Sequence, residues 1–165
     1  EPDRSLTEEH WAYMDRFADG MTAQGPTLAG DRDTWTGSLH VVDLPDADAA
    51  RKFVEHEPYN RAGMFKSHVI RRFENLLGRT MWEFPRDSAD PRFLVFAHLN
   101  ITAPQRQRLI IHGELSTLDE AAPAGVVLAL QAPTREAVDD VLKDGLVRLD
   151  EPVVEIHDWE LGGRR

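Results

Sequence analysis

The sequence predicts an α+β protein made of ferredoxin-like units, and three observations carry that expectation. Apolar residues alternate along several short segments, as on a strand with one buried face. Two other segments repeat apolar residues at helical spacing. The pattern also occurs twice. The run from Gly37 to Ala50 resembles the run from Gly125 to Val138, with Pro45 matching Pro133 and Ala49 matching Ala137, an offset of 88. The ends correspond as well, Phe73 and Glu74 against Trp159 and Glu160. Each half reads strand, strand, helix, strand, which is most of a βαββαβ unit.

Residues Ser5 to Gly20 read as the first helix. Ser5 with Glu8, or Thr7 alone, can cap it, and Trp11, Met14, Ala18 and Met21 form one apolar stripe. Gly20 or Gly25 ends it, and Pro26 to Ala29 reads as a short strand. Trp35 to Leu44 alternates, with Leu39 and Val41 on one face and Ser38 and His40 on the other. Pro45 and Asp46 start a second helix that stops near Glu57, because Pro58 disfavours helical backbone in the residue before it. Phe65 to Phe73 reads as a strand. Residues 81–91 read as a linker between units 1–80 and 92–165, with Met81, Trp82 and Phe84 packed on a core. The second half offers strands at Phe93 to Leu99, Arg108 to Leu115, Gly125 to Gln131 and Val153 to Leu161, and a helix over Thr134 to Lys143.

The two halves differ at their openings. The second has a strand before its hairpin, whereas the first has only a helix. An opening strand is central in a ferredoxin-like sheet, so its loss leaves two ladders unpaired. The expectation is that a strand precedes residue 1 or that another segment fills its slot.

The chain carries a formal net charge of -10, which argues against nucleic-acid partners and anionic membranes. No apolar run approaches the roughly 20 residues that span a bilayer. The N-terminus reads as no signal peptide, so a cytoplasmic protein is expected. There is no cysteine, which removes disulfides and thiolate chemistry. P-loop, GxGxxG, GxSxG and HExxH motifs are absent, and with them the nucleotide, serine-hydrolase and zinc-protease classes.

Several short motifs resemble the YCII-related family in order and spacing: Glu9-His10-Trp11, Gln24-Gly25-Pro26, Thr36-Gly37-Ser38, Glu57-Pro58-Tyr59 and Ala62-Gly63. The resemblance covers roughly residues 5 to 78; the second half resembles the family only in outline, as a degenerate tandem unit. It implies a dimeric α+β barrel of two antiparallel sheets packed face to face with helices outside. The partner sheet comes from a homodimer or, with two units in one chain, from the same molecule. It also implies enzymatic chemistry on a His and an Asp. The His falls on His10. The Asp position falls on Glu57, which reaches one methylene further.

A neutral imidazole held by a carboxylate is a sound general base near neutral pH. The expectation is therefore a lyase or isomerase for a small cyclic or carboxylated metabolite, requiring no cofactor. His10 and Glu57 are its catalytic pair, and Ser38, His40 and Tyr59 contact the substrate. The alternative is a non-catalytic ligand-binding or protein-interaction module. A His10 facing bulk water, with the cleft filled by Trp11, Trp35 or Phe65, favours that alternative. His98, His112 and His157 lie on separate predicted strands with no metal-ligand spacing, so no metal site is expected.

Overall fold

In the computed structural model, which describes residues 3–86, 88–97, 106, 108–143 and 155–163, Asp3 starts the first helix. Its carboxylate accepts the Leu6 amide at 2.8 Å, and α1 runs over Arg4–Asp15. Ser5 and Thr7 thus lie inside the helix rather than at its cap. A carboxylate at this position also complements the helix dipole. The helix stops well short of Gly20, because Ala18–Gly20 forms a 3-10 turn.

The segment expected to be a short strand is the long strand β1 (Met21–Leu28), which contains Gly25 and Pro26. It pairs antiparallel with β2 (Trp35–Val42), where Gly25 faces Leu39 and Gln24 faces His40. Pro26 costs no ladder bond toward β2. Its carbonyl accepts the Glu160 amide, so its nitrogen faces the same side, where regular pairing stops at Trp159. Asp46 then caps α2 (Ala47–His56) through the Ala49 amide at 2.8 Å.

Pro58 ends α2 as expected. It holds Glu57 extended, at φ -64 and ψ 126, and opens a one-turn helix α3 (Pro58–Arg61). The following strand is shorter and later than the apolar run suggested: β3 is Arg71–Asn75. Within the expected linker, Met81, Trp82 and Phe84 pack on the interior cluster as expected. Met81 is fully buried in a 3-10 turn, closed where the Glu83 carboxylate accepts the Thr80 amide at 2.7 Å. In the second half, β4 (Arg92–Ala97), β5 (Leu109–Thr117), β6 (Pro123–Gln131), α4 (Arg135–Lys143) and β7 (Glu155–Trp159) follow the expected order.

The described strands form one antiparallel sheet in the order β2-β1-β7-β4-β6-β5-β3. Two separate sheets were expected. The sheet is continuous because each half lends its last strand to the other. β7 pairs with β1, and β3 pairs with β5. These two seams share one register: Trp159 faces Thr27, and Phe73 faces Leu115, 88 residues further on. The element starts repeat at the same offset, Met21 against Leu109, Trp35 against Pro123 and Ala47 against Arg135.

Each seam has a glycine beneath its aromatic side chain. A Cβ on Gly113 would stand 2.0 Å from the Phe73 ring, and the Trp159 indole N–H donates to the Gly25 carbonyl at 3.2 Å. The sheet curls so that Ala23, Leu39, Val41, Phe73, Leu94 and Trp159 share one interior cluster. On the outer face, Tyr13, Met14 and Phe53 pack α1 and α2 onto the first half, while Val138 and Leu142 pack α4 onto β4 and β6. No helix among the described residues is long and apolar enough to cross a membrane.

Candidate functional site

The break between α2 and α3 sets the position of Glu57. As the N-cap of α3, its carboxylate accepts the Tyr59 amide at 3.0 Å and the Asn60 amide at 2.7 Å. The same carboxylate meets the Nδ1 of His10, from the second turn of α1, at 2.7 Å. The residue is only 3% exposed, so three hydrogen bonds replace its lost hydration. Burial alone pushes the Glu57 carboxyl up. The His10 hydrogen bond, the two amides and the His10 charge outweigh it, and the pKa lies below its ordinary value.

His10 is thus not turned to bulk water; its side chain is 12% exposed. With Nδ1–H donated to the carboxylate, Nε2 is left with the lone pair. Tyr59 stacks on the imidazole, ring centroids 4.2 Å apart and planes 9° from parallel. His40 approaches edge-on at 5.8 Å from β2. Burial first, then the neighbouring His10, push the His40 pKa down to about 4 against a smaller upward pull from Glu57. His40 is therefore neutral at pH 7, even though its side chain keeps partial access to solvent.

The structure brings four of the five expected residues together: His10, Glu57, Tyr59 and His40. Ser38 shares the helix-side face of β2, but its hydroxyl donates, at 3.4 Å, to the Gly25 carbonyl. Trp35 and Phe65 were expected at the cleft only in the non-catalytic alternative. They crowd Tyr59, at 5.4 Å and 6.5 Å between centroids. Phe53 flanks His40 at 5.9 Å, and its inward helical spacing was the only sequence signal for that place. Two surface grooves lie off the dyad, one between α1 and α3 at Leu6, Glu9 and Arg61, the other beside β3.

His98 lies outside the described residues. His112 is 4% exposed and lacks a hydrogen-bond partner at Nδ1 among the described residues, and His157 sits 3.6 Å from Glu155. No three His, Asp or Glu among the described residues are grouped to hold a metal ion.

The low pKa of His40 sets a pH dependence. Its folded value lies below the unfolded 6.5, so the unfolded chain takes up the proton first. Stability from this group is complete above pH 6.5 and is lost as the pH falls through about 4. Glu57 acts in the same direction at still lower pH, below its ordinary value. The urea midpoint is expected to fall between pH 6.5 and 4, and His40→Gln to flatten that fall. A slope that persists unchanged in the variant places its origin elsewhere.

Fold and site together define a class: a curled antiparallel sheet with a buried His–carboxylate pair between its first helices and an edge strand. The sequence model of the YCII-related domain matches residues 1–74, a span that contains all four clustered residues and ends within β3. No curated protein and no solved structure matches the chain.

Proposed function

We propose that the chain is a YCII-like lyase or isomerase that uses His10 as general acid and base on a small cyclic or carboxylated metabolite. The observation that supports it best is the 2.7 Å contact between His10 Nδ1 and a carboxylate held by two backbone amides. In the neutral ring this contact selects the Nδ1–H tautomer and leaves Nε2 to accept a proton. The ionised Glu57 then stabilises the imidazolium that results. Tyr59 fixes the ring plane by stacking. Neutral His40 is a hydrogen-bonding neighbour that adds no competing charge. Ser38 contributes only if its hydroxyl leaves the Gly25 carbonyl for a substrate oxygen. In this reading the two halves of one chain supply the pair of units that a homodimer supplies in the barrel.

A second reading has a specific observation in its favour. Trp35 and Phe65 pack against Tyr59, an aromatic wall suited to holding a flat ligand without turning it over.

Deuterium wash-in separates the two. Small cyclic ketones and carboxylates are incubated with the protein in D2O and followed by proton NMR. Catalysis predicts exchange next to a carbonyl that drops at least about 100-fold in His10→Ala, the lower end of what a positioned base supplies. Equal exchange in that variant, with binding retained, leaves the binding module.

A further inference from the structure

Gln24 of β1 is 8% exposed, and among the described residues no hydrogen bond reaches its terminal amide. Its backbone, by contrast, is fully used. The N–H donates to the Met81 sulfur at 3.3 Å, and the C=O accepts the Gly162 amide at 2.9 Å. Both groups point away from β2. Gln24 and His40 therefore form a pair of the non-hydrogen-bonded kind, which brings opposed side chains closest. Ala23 and Val41 next to them turn to the interior cluster, so Gln24 and His40 share the helix side. The chain after β7 hems the amide in from the far side, where a Cβ on Gly163 would stand 1.9 Å from its nitrogen. The amide atoms are not among the fully buried unpaired ones, so the remaining exposure includes the polar end. Buried polar groups nearly always have a partner, and an open amide on this face is a place for a bound molecule's oxygen.

We propose that the substrate is a flat, uncharged, enolisable ketone or aldehyde, and that Gln24 donates to its carbonyl oxygen together with the ring N–H of His40. This deepens the reading of His10 as general base and rests on it. Charge selects the class. Gln24, Ser38 and His40 on this face are neutral at pH 7, and the field of the Glu57 carboxylate reaches as far as His40. A substrate carboxylate would meet that field with no cation among these groups to offset it. A ketone meets it uncharged. His10 Nε2 then takes the proton next to the carbonyl, the C–H electron pair becomes the C=C bond, and the carbonyl π pair moves onto oxygen. The imidazolium formed in that step offsets Glu57 as the enolate charge appears between the two N–H donors. Return of a proton from His10 to carbon restores the neutral ring and the carbonyl. Trp35, Phe65 and Tyr59 supply the aromatic wall for a flat molecule.

The test uses 2-indanone, a flat enolisable ketone, and indane-2-carboxylate, the same frame with a charged head. In nitrogen-15 labelled protein the side-chain NH2 resonances of Gln24 are expected to shift on titration with the ketone and to stay in place with the carboxylate. Wash-in to the ketone is expected to fall about 100-fold in Gln24→Met, which keeps the length of the side chain and loses the donor. His10→Ala is expected to keep the ketone-induced shift at Gln24 and to lose wash-in. A shift at Gln24 in a chain that exchanges nothing upholds the oxygen site while ending the general-base reading. A Gln24 amide that does not respond to the ketone overturns the proposal, and this measurement decides the matter if Gln24→Met does not fold. Wash-in as fast in a folded Gln24→Met as in the parent overturns it too, as does a carboxylate that shifts Gln24 as the ketone does.

Discussion

Replacing Gly25 with alanine is expected to lower Tm by roughly 10 °C, the largest stability loss of any single methyl addition in the first half. The added Cβ would stand 1.9 Å from the Glu160 carbonyl and 2.9 Å from the Gly162 amide, both backbone atoms. Neither can move alone. The Glu160 amide is bonded to the Pro26 carbonyl at 3.2 Å, the Gly162 amide to the Gln24 carbonyl at 2.9 Å, and the Trp159 indole to Gly25 itself. Opening the seam combines overpacking with lost hydrogen bonds, together about 3–5 kcal/mol. For Gly113→Ala, at the matching place in the other seam, the nearest atoms are those of the Phe73 ring. That ring is partly exposed on an edge strand and can rotate away, so the cost is about 1–2 kcal/mol. Thermal melts of the two variants check the order; equal losses would show that the seams are not distinguished by backbone contact.

The second large effect is at Glu57. Glu57→Ala removes the cap of α3 and leaves two amides and the His10 N–H without their acceptor. A lost N-cap and buried unpaired donors together cost about 2–4 kcal/mol. Glu57→Gln keeps an acceptor oxygen for the helix end but loses the charge that stabilises an imidazolium. It is expected to retain more than half of the lost stability while reducing wash-in about as much as the alanine variant. A glutamine variant with full wash-in would make Glu57 a structural cap and nothing more.

Much of the architecture was legible because the repeat is regular where burial is strongest. Alternation located β2, β4 and β6, and Pro58 marked the end of α2 together with the acidic residue that follows it. Elements set by distant partners were not legible. Gly25 reads locally as a helix stop and Pro26 as the start of a short strand. Their place inside β1 depends on Glu160 and Gly162, far along the chain. Phe65 to Ile70 reads as strand from its composition, yet pairing starts only at Arg71, where β5 supplies partners. The pairing of each half's last strand with a strand of the other half leaves no local trace either, so two sheets were expected where one forms.

At the site, His10 and Glu57 were found through the family motifs, and Glu in place of Asp still reaches the imidazole. His40 was legible as a residue on the helix-side face of β2. Its low pKa was not, since it comes from burial among Phe53, His10 and the helices. The partner of Ser38 was not legible either. The residue's face was right, but its hydroxyl has a backbone acceptor across the hairpin.

The central claim is that Glu57 holds His10 through Nδ1 and leaves Nε2 as the base. Nitrogen-15 NMR of the histidine side chains tests it directly. In the neutral ring the account predicts a protonated Nδ1 and an unprotonated Nε2 at His10, the reverse of the usual preference of free imidazole, and loss of that pattern in Glu57→Ala. A His10 ring that carries its proton on Nε2, unchanged by the Glu57 substitution, contradicts the account.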